Sequence, residues 1–287
     1  MNKFEACIAI QHTKDIKGKM NCVKLIFIIT IFIGSLAGQE KAIDWDDFIT
    51  EHEIYYANVN RTDISNFSCL ISSSSYVDFI KSKADSTYYY PLKIVWTREG
   101  KVFYIMLPFP EGDNGELQKV IPAKVQTLKK LFTGTLLDWQ QFCIYSPFKD
   151  IPENAGAKFK GDTIGVSYKI SQEDKIVKLK KTFTKVGLLL RVIWESGKLK
   201  IITYPSYDNV FDKWLCIGWD SQIYSDGEVI SGMTVGLELV NLSGFWLPTR
   251  FDILAQTKSD SSRKSLSSLY FKNHILNENF ELIEPPR

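Results

Sequence analysis

The chain has 287 residues, and its 35 Lys and Arg nearly balance its 33 Asp and Glu, for a formal net charge of +2 at pH 7. A protein that binds nucleic acid usually carries an excess of basic residues on one face. The near-neutral balance therefore predicts no nucleic-acid partner.

The first recognisable element is an export signal. Lys24 precedes an apolar run at residues 25–33, and small residues follow, with Ser35 and Ala37 at the spacing that a signal peptidase reads. The pattern predicts a signal peptide over residues 1–38, which is cleaved near Ala37–Gln39.

Three further features of this segment define the expected location. The apolar run is shorter than the roughly 20 residues that a transmembrane helix needs. Gln39 stands where lipid attachment would require a cysteine, and Met20 could be the true start of a signal peptide of ordinary length. We therefore expect a periplasmic protein without a permanent membrane anchor.

The remaining residues, 39–287, are predicted to form a single domain. Five basic and two acidic residues leave with the signal peptide, so 30 basic residues face 31 acidic ones. Cys69, Cys143 and Cys216 each lie among apolar neighbours, which favours buried, inert thiols. Three cysteines also allow at most one intramolecular disulfide, and the sequence leaves their redox state open.

The first half of this domain alternates between helical and extended patterns. Residues 44–57 are predicted as a helix capped by Asp44, with Trp45, Phe48 and Ile49 on an apolar side. Strands are predicted at residues 67–71, 88–96 and 101–107, and residues 98–100 form a turn between the last two. A helix should follow over residues 122–132, which begins at Pro122 and ends before Gly134, with a short helix at residues 136–142.

The second half is predicted to be almost entirely extended. Strands are expected at residues 163–170, 176–183, 187–194, 198–204, 229–241, 246–255 and 267–272. The polar, Ser-rich residues 258–268 are expected to form a long hairpin loop. The elements together predict an α+β fold, in which helices cover the concave face of one strongly curved antiparallel sheet. A groove between the covering helices and the sheet would be an apolar ligand site.

Four short segments in this order resemble the LolA/LolB-like superfamily of bacterial outer-membrane lipoprotein carriers. The segments are residues 65–68, 91–96, 244–250, and 269–273 with Asn277. The resemblance implies a half-open barrel closed by helices, in which residues 39–287 form one carrier domain. It also implies acyl chains of a lipoprotein or another lipid as cargo, moved across the periplasm from an inner-membrane donor to an outer-membrane acceptor.

One position departs from the family's pattern. The periplasmic carriers have an arginine immediately before the proline that corresponds to Pro91, where it holds the helical lid to the barrel. This chain has Tyr90, which cannot form a charged, two-pronged hydrogen bond. The candidate cavity and lid residues are Trp45, Phe48, Ile49, Tyr90, Trp96, Val125, Leu128 and Phe132.

The sequence contains no catalytic signature. His52 and His274 lack nearby Cys or carboxylate residues at ligand spacing, and His52 is expected to be a partly exposed packing residue. Nucleophile elbows, phosphate-binding glycine loops and zinc-protease motifs are missing from the sequence. We therefore predict a non-catalytic protein without metal or cofactor. The alternative to a carrier is a non-catalytic envelope module that recognises a protein or glycan partner.

Overall fold

One antiparallel sheet dominates the fold in a computed structural model that describes residues 44–83, 88–108, 115–153, 155–172, 175–258 and 260–279. These residues belong to one unit of the chain, Ala42–Arg287. The predicted signal peptide at residues 1–38 lies outside the described residues.

The sheet of the described residues has twelve strands in the order β3-β2-β1-β12-β11-β10-β9-β8-β7-β6-β5-β4. The strands are β1 Asn66–Ser73, β2 Leu92–Thr97, β3 Val102–Met106, β4 Gly156–Lys160, β5 Thr163–Gln172, β6 Lys175–Thr184, β7 Leu189–Ser196, β8 Leu199–Val210, β9 Lys213–Ser225, β10 Glu228–Leu242, β11 Phe245–Thr257 and β12 Asp260–Leu276. All neighbouring strands are antiparallel. The predicted α+β class with one large antiparallel sheet is confirmed at this level.

Two strands were not predicted, and one predicted loop is wrong. Strands β4 and β9 lie in segments that the sequence patterns did not mark as extended. Residues 258–268 belong mostly to β12, where Ser265 pairs with Ala255 and Leu266 pairs with Leu254 of β11. Pairing with a long neighbouring strand supplies the backbone hydrogen bonds of this Ser-rich segment, so its low β-propensity is overridden.

The first helix, α1, spans Trp45–Glu53, and the Asp44 side chain accepts hydrogen bonds from the backbone N–H groups of Asp46 and Asp47 at its start. The predicted cap is therefore confirmed. The helix ends before residue 57 because the backbone next bonds to β9, where the N–H of Ala57 donates to the Trp214 carbonyl at 3.0 Å.

Helix α2, Ser74–Lys81, was not predicted, and helix α3, Gly115–Trp139, is much longer than predicted. Pro122 and Gly134 both lie inside α3, so the expected start, end and second short helix are wrong. The helix continues as a π-helical turn, Gln140–Ile144. One side of α3 is buried along its length, and this packing outweighs the unfavourable Pro and Gly propensities. The buried side chains are Leu117, Ile121, Val125, Leu128, Phe132, Leu136 and Trp139.

Aromatic side chains join α3 to one face of the sheet, which we call the inner face. The ring centroids of Phe132 and Phe271 are 6.0 Å apart, and those of Trp139 and Phe67 are 5.7 Å apart. In the π-turn, Phe142 lies 5.9 Å from Trp219 of β9. Helix α3 and the π-turn thus cross the inner face from β1 to β9.

Helix α1 packs through a second aromatic group. Phe48 meets Phe148 edge to face at 5.9 Å, and Phe148 stacks on Phe183 of β6 at 4.9 Å. His52 stacks on Phe48 at 4.3 Å and is only 8% exposed, so the expectation that it is partly exposed is wrong. The stacking and the close approach of Gly187 remove this imidazole from solvent.

Candidate ligand-binding cleft

A cleft of about 460 Å³ lies between the end of α3 and the inner face of β5–β8. Its size is within the range of sites that bury one small molecule. Leu137, Asp138, Gln141 and Phe142 line its helical side, and the loop after the π-turn contributes Tyr145.

The floor of the cleft is apolar because alternate residues of each strand point to the same face. Ile170 of β5, Leu179 of β6, Val192 and Trp194 of β7, and Ile201 of β8 all line it. Leu179 pairs with Trp194, and Trp194 pairs with Ile201, so these three side chains form one row across the sheet. This row can contact a hydrocarbon chain along several residues.

The adjacent row introduces charge and hydroxyl groups into the cleft. Lys181 pairs with Val192, which pairs with Thr203. Lys181 is only 2% exposed, and its Nζ donates to the Pro147 carbonyl at 2.7 Å. Burial lowers the pKa of Lys181 to about 8, although Asp150 partly opposes this effect.

Two other polar groups face the same space. Burial raises the pKa of Asp138 to about 6, so this carboxyl group titrates close to neutral pH. Tyr168 is 7% exposed, and its hydroxyl has no hydrogen-bond partner among the described residues. Burial raises the pKa of Tyr168 as well. A buried hydroxyl without a partner is costly, so a polar group of a ligand would find an available donor here.

The predicted site residues lie elsewhere in the fold. Trp45, Trp96, Val125, Leu128 and Phe132 are buried in the hydrophobic core, and Phe48 and Ile49 are partly buried against it. Tyr90 is partly exposed, with the Lys272 Nζ 4.9 Å from its ring centroid.

The structure brings some of these predicted residues together around the core. Trp45 and Phe48 are 5.6 Å apart, and Trp96 stacks on Phe67 of β1, which also meets Trp139 of α3. None of the eight predicted residues lines the 460 Å³ cleft. Their contact with a ligand stays a prediction.

The cleft residues could have been found from one irregularity in the sequence. In β6, Val177, Leu179 and Phe183 are apolar and alternate with exposed residues, but Lys181 occupies the same inward register. A lysine on the buried side of a strand is unusual unless it serves a partner or a site.

The chain has no significant match among protein-family models, curated proteins or solved structures. Membership of the lipoprotein-carrier superfamily therefore stays a prediction.

No cluster of three or more His, Cys, Asp or Glu that could hold a metal ion occurs among the described residues. Within the same part of the chain, no helix has both the length and the apolar character needed to cross a membrane.

Proposed function

We propose that this protein is a non-catalytic periplasmic carrier of the LolA/LolB-like type, which binds an acyl chain of a lipoprotein or another lipid. The observation that carries the proposal is the cleft between α3 and β5–β8, in which an apolar floor adjoins the buried polar groups of Lys181 and Tyr168. A hydrocarbon chain would lie along Leu179, Trp194 and Ile201. The polar end of the same ligand would lie near Lys181 and Tyr168.

The energetics of apolar burial suit a carrier. Each methylene removed from water contributes about 0.8 kcal/mol, so about ten methylenes contribute about 8 kcal/mol. Before the cost of ordering the ligand is subtracted, this corresponds to a dissociation constant of about 1 μM. Because association costs at least about 4 kcal/mol of this gain, a chain longer than about ten methylenes, or a second acyl chain, would be needed to hold the cargo at micromolar affinity without a covalent bond.

The proposal includes a finer description of the fold and of the partners. The sheet would curve into a half-open barrel, and α1 and α3 would cover its concave face. A membrane-bound donor would load the cleft on one side of the periplasm, and an acceptor at the outer membrane would empty it.

Fluorescence quenching by a brominated fatty acid tests whether the cleft is the binding site. Bromine quenches tryptophan only at short range, and Trp194 lies on the cleft floor. We expect the brominated acid to lower the fluorescence of the unaltered protein, and Trp194→Phe to remove most of this quenching. Trp246→Phe is the matched control, because Trp246 is on β11 and does not line the cleft.

Other results would change the proposal in defined ways. Loss of quenching in Trp45→Phe, with Trp194→Phe unaffected, would move the ligand to the predicted residues of α1. Absence of quenching in the folded protein, together with absence of copurified lipid, would reject the carrier and favour the envelope-binding module.

A further inference from the structure

A second concave surface lies on the opposite, outer face of the sheet. It is a groove of about 550 Å³ across β4–β7. Its basic lining residues are Lys158, Lys160, Lys178, Lys180 and Arg191, and no acidic side chain is among the described lining residues. We call it the basic groove.

Strand register explains the shape of the basic groove. Lys158 of β4 pairs with Gly165 of β5, Gly165 pairs with Thr182 of β6, and Thr182 pairs with Arg191 of β7. Small residues therefore form the centre of this row, and cationic side chains stand at its two ends. The next row places Ser167 beside Lys180.

The positive charge of this surface is only partly neutralised within the protein. Lys169 lies directly opposite Lys178, an arrangement of like charges that destabilises a sheet. Glu195 lies 3.8 Å from both Lys178 and Lys200. The Nε of Arg191 is buried without a hydrogen-bond partner among the described residues. An external anion would relieve this repulsion.

We propose that the basic groove docks the protein reversibly onto a lipid bilayer that contains anionic headgroups. A phosphate-bearing headgroup would enter the groove over Gly165 and Thr182, and the surrounding lysines would contact the negatively charged surface. Polybasic surfaces bind such membranes through the summed attraction of individual Lys and Arg residues.

The side chains of the groove favour a bilayer over single-stranded nucleic acid. Nucleic-acid surfaces of that kind stack bases on exposed aromatic rings, whereas Phe159, the aromatic residue in the groove, is half-buried against the core. Four of the five basic residues are lysines, which act as point charges and suit a diffuse negative surface. Ile176 is 69% exposed on the same face of β6, where it could enter the headgroup region.

Docking by the basic groove goes beyond lipid carriage and does not depend on the cleft. The groove is on the outer face, and the cleft is on the inner face. The fatty-acid quenching measurement reports on the cleft alone, so either proposal can fail while the other holds.

Vesicle sedimentation tests the proposal with two compositions, phosphatidylcholine alone and phosphatidylcholine with phosphatidylglycerol. We expect binding to the anionic vesicles only, at about 0.1 M salt, and its loss at about 1 M, where the screening length falls from about 10 to about 3 Å. The double variant Lys158→Gln/Lys180→Gln should bind roughly 30-fold more weakly, since each lysine near an anionic surface contributes about a fivefold change.

The matched control is Lys119→Gln/Lys130→Gln, which removes the same charge from exposed positions on α3. This control should bind within about twofold of the unaltered protein. Equal binding to neutral vesicles, or an equal loss in both double variants, would overturn the proposal. Tight binding to single-stranded DNA or inorganic polyphosphate without vesicle binding would instead identify the groove as a site for a soluble polyanion.

Discussion

The sequence predicts the burial of Lys181 but not its hydrogen-bond partner. The alternation of Val177, Leu179 and Phe183 predicts which side of β6 is buried, and Lys181 falls on that side. The sequence alone cannot identify the Pro147 carbonyl that accepts its hydrogen bond, because that contact joins residues 34 positions apart. The sequence pattern shows that a charged residue falls on the buried side of β6, but only the tertiary structure shows which group it bonds to.

We predict that Lys181→Met stabilises the protein near pH 7. The folded-state pKa of about 8 is below the ordinary value of 10.5, so the unfolded chain holds this proton more tightly. The destabilisation caused by burying the charged Lys181 is therefore complete below about pH 8 and disappears as pH rises toward 10.5. The lowered pKa of Lys181 corresponds to roughly 3 kcal/mol of lost stability. Loss of the hydrogen bond to Pro147 costs about 1 kcal/mol. The free energy of unfolding of the variant should therefore rise by about 2 kcal/mol.

Urea unfolding at about pH 7 and about pH 10 measures the gain in the free energy of unfolding, which should be smaller at the higher pH. Lys180→Met is the control, because Lys180 is exposed on the outer face and should change stability by less than about 0.5 kcal/mol. A gain that is the same at both pH values would show that packing of the methionine, not removal of charge, is responsible.

At the scale of elements, the sequence predicted the strands that are rich in β-branched and aromatic residues. Strands β5–β8, β10 and β11 were found, although β8 extends through Pro205, where the prediction stopped. Strand β9 was missed because Trp214, Leu215, Cys216 and Ile217 form an apolar run without alternation. Helix α3 was cut short because the unfavourable propensities of Pro122 and Gly134 are local, whereas the packing that overrides them comes from the sheet.

The β6–β7 turn provides a test of how α1 is held. Gly187 has φ +78, and a Cβ at this position would lie 2.4 Å from the Cβ of His52 in α1. Its carbonyl also accepts a hydrogen bond from the Tyr56 hydroxyl at 2.9 Å. A glycine is therefore required here both by backbone conformation and by the approach of α1.

We predict that Gly187→Ala destabilises the protein by at least about 1 kcal/mol more than Gly197→Ala. Gly197 also has a positive φ, +58, but a Cβ there would meet no atom within 4 Å. Both variants incur the cost of a left-handed alanine, about 1–2 kcal/mol, and only Gly187→Ala displaces α1. Chemical denaturation of both variants gives the difference in their free energies of unfolding. Equal losses of stability would show that α1 does not pack closely against the turn.

At the scale of the whole molecule, the buried thiols report on cooperativity. Cys69 in β1, Cys143 in the π-turn and Cys216 in β9 are free and buried. Burial raises the pKa of Cys69 and, together with the neighbouring Cys216, that of Cys143. Thiols in this state are inert because the reactive thiolate is disfavoured.

We predict that all three thiols are unreactive toward a chromogenic disulfide in the folded protein and become reactive together as urea is raised. Because Cys69 and Cys216 lie in one sheet and Cys143 lies in the π-turn packed against it, their exposure should coincide with loss of the far-UV circular dichroism signal. A thiol that reacts at lower urea would identify a part of the sheet that opens independently. In protein that begins at Gln39, and so lacks Cys7 and Cys22, fewer than three reactive thiols after complete unfolding without reductant would reveal a disulfide.

The order of strands has a consequence for how the chain folds. Strand β12 pairs with β1 on one side and with β11 on the other, so it joins β1–β3 to the rest of the described sheet. Until β12 has paired, both β1 and β11 expose unpaired edges, which are templates for aggregation. A chain that ends shortly before Asp260 would therefore hold a three-stranded and an eight-stranded sheet that share no backbone hydrogen bonds.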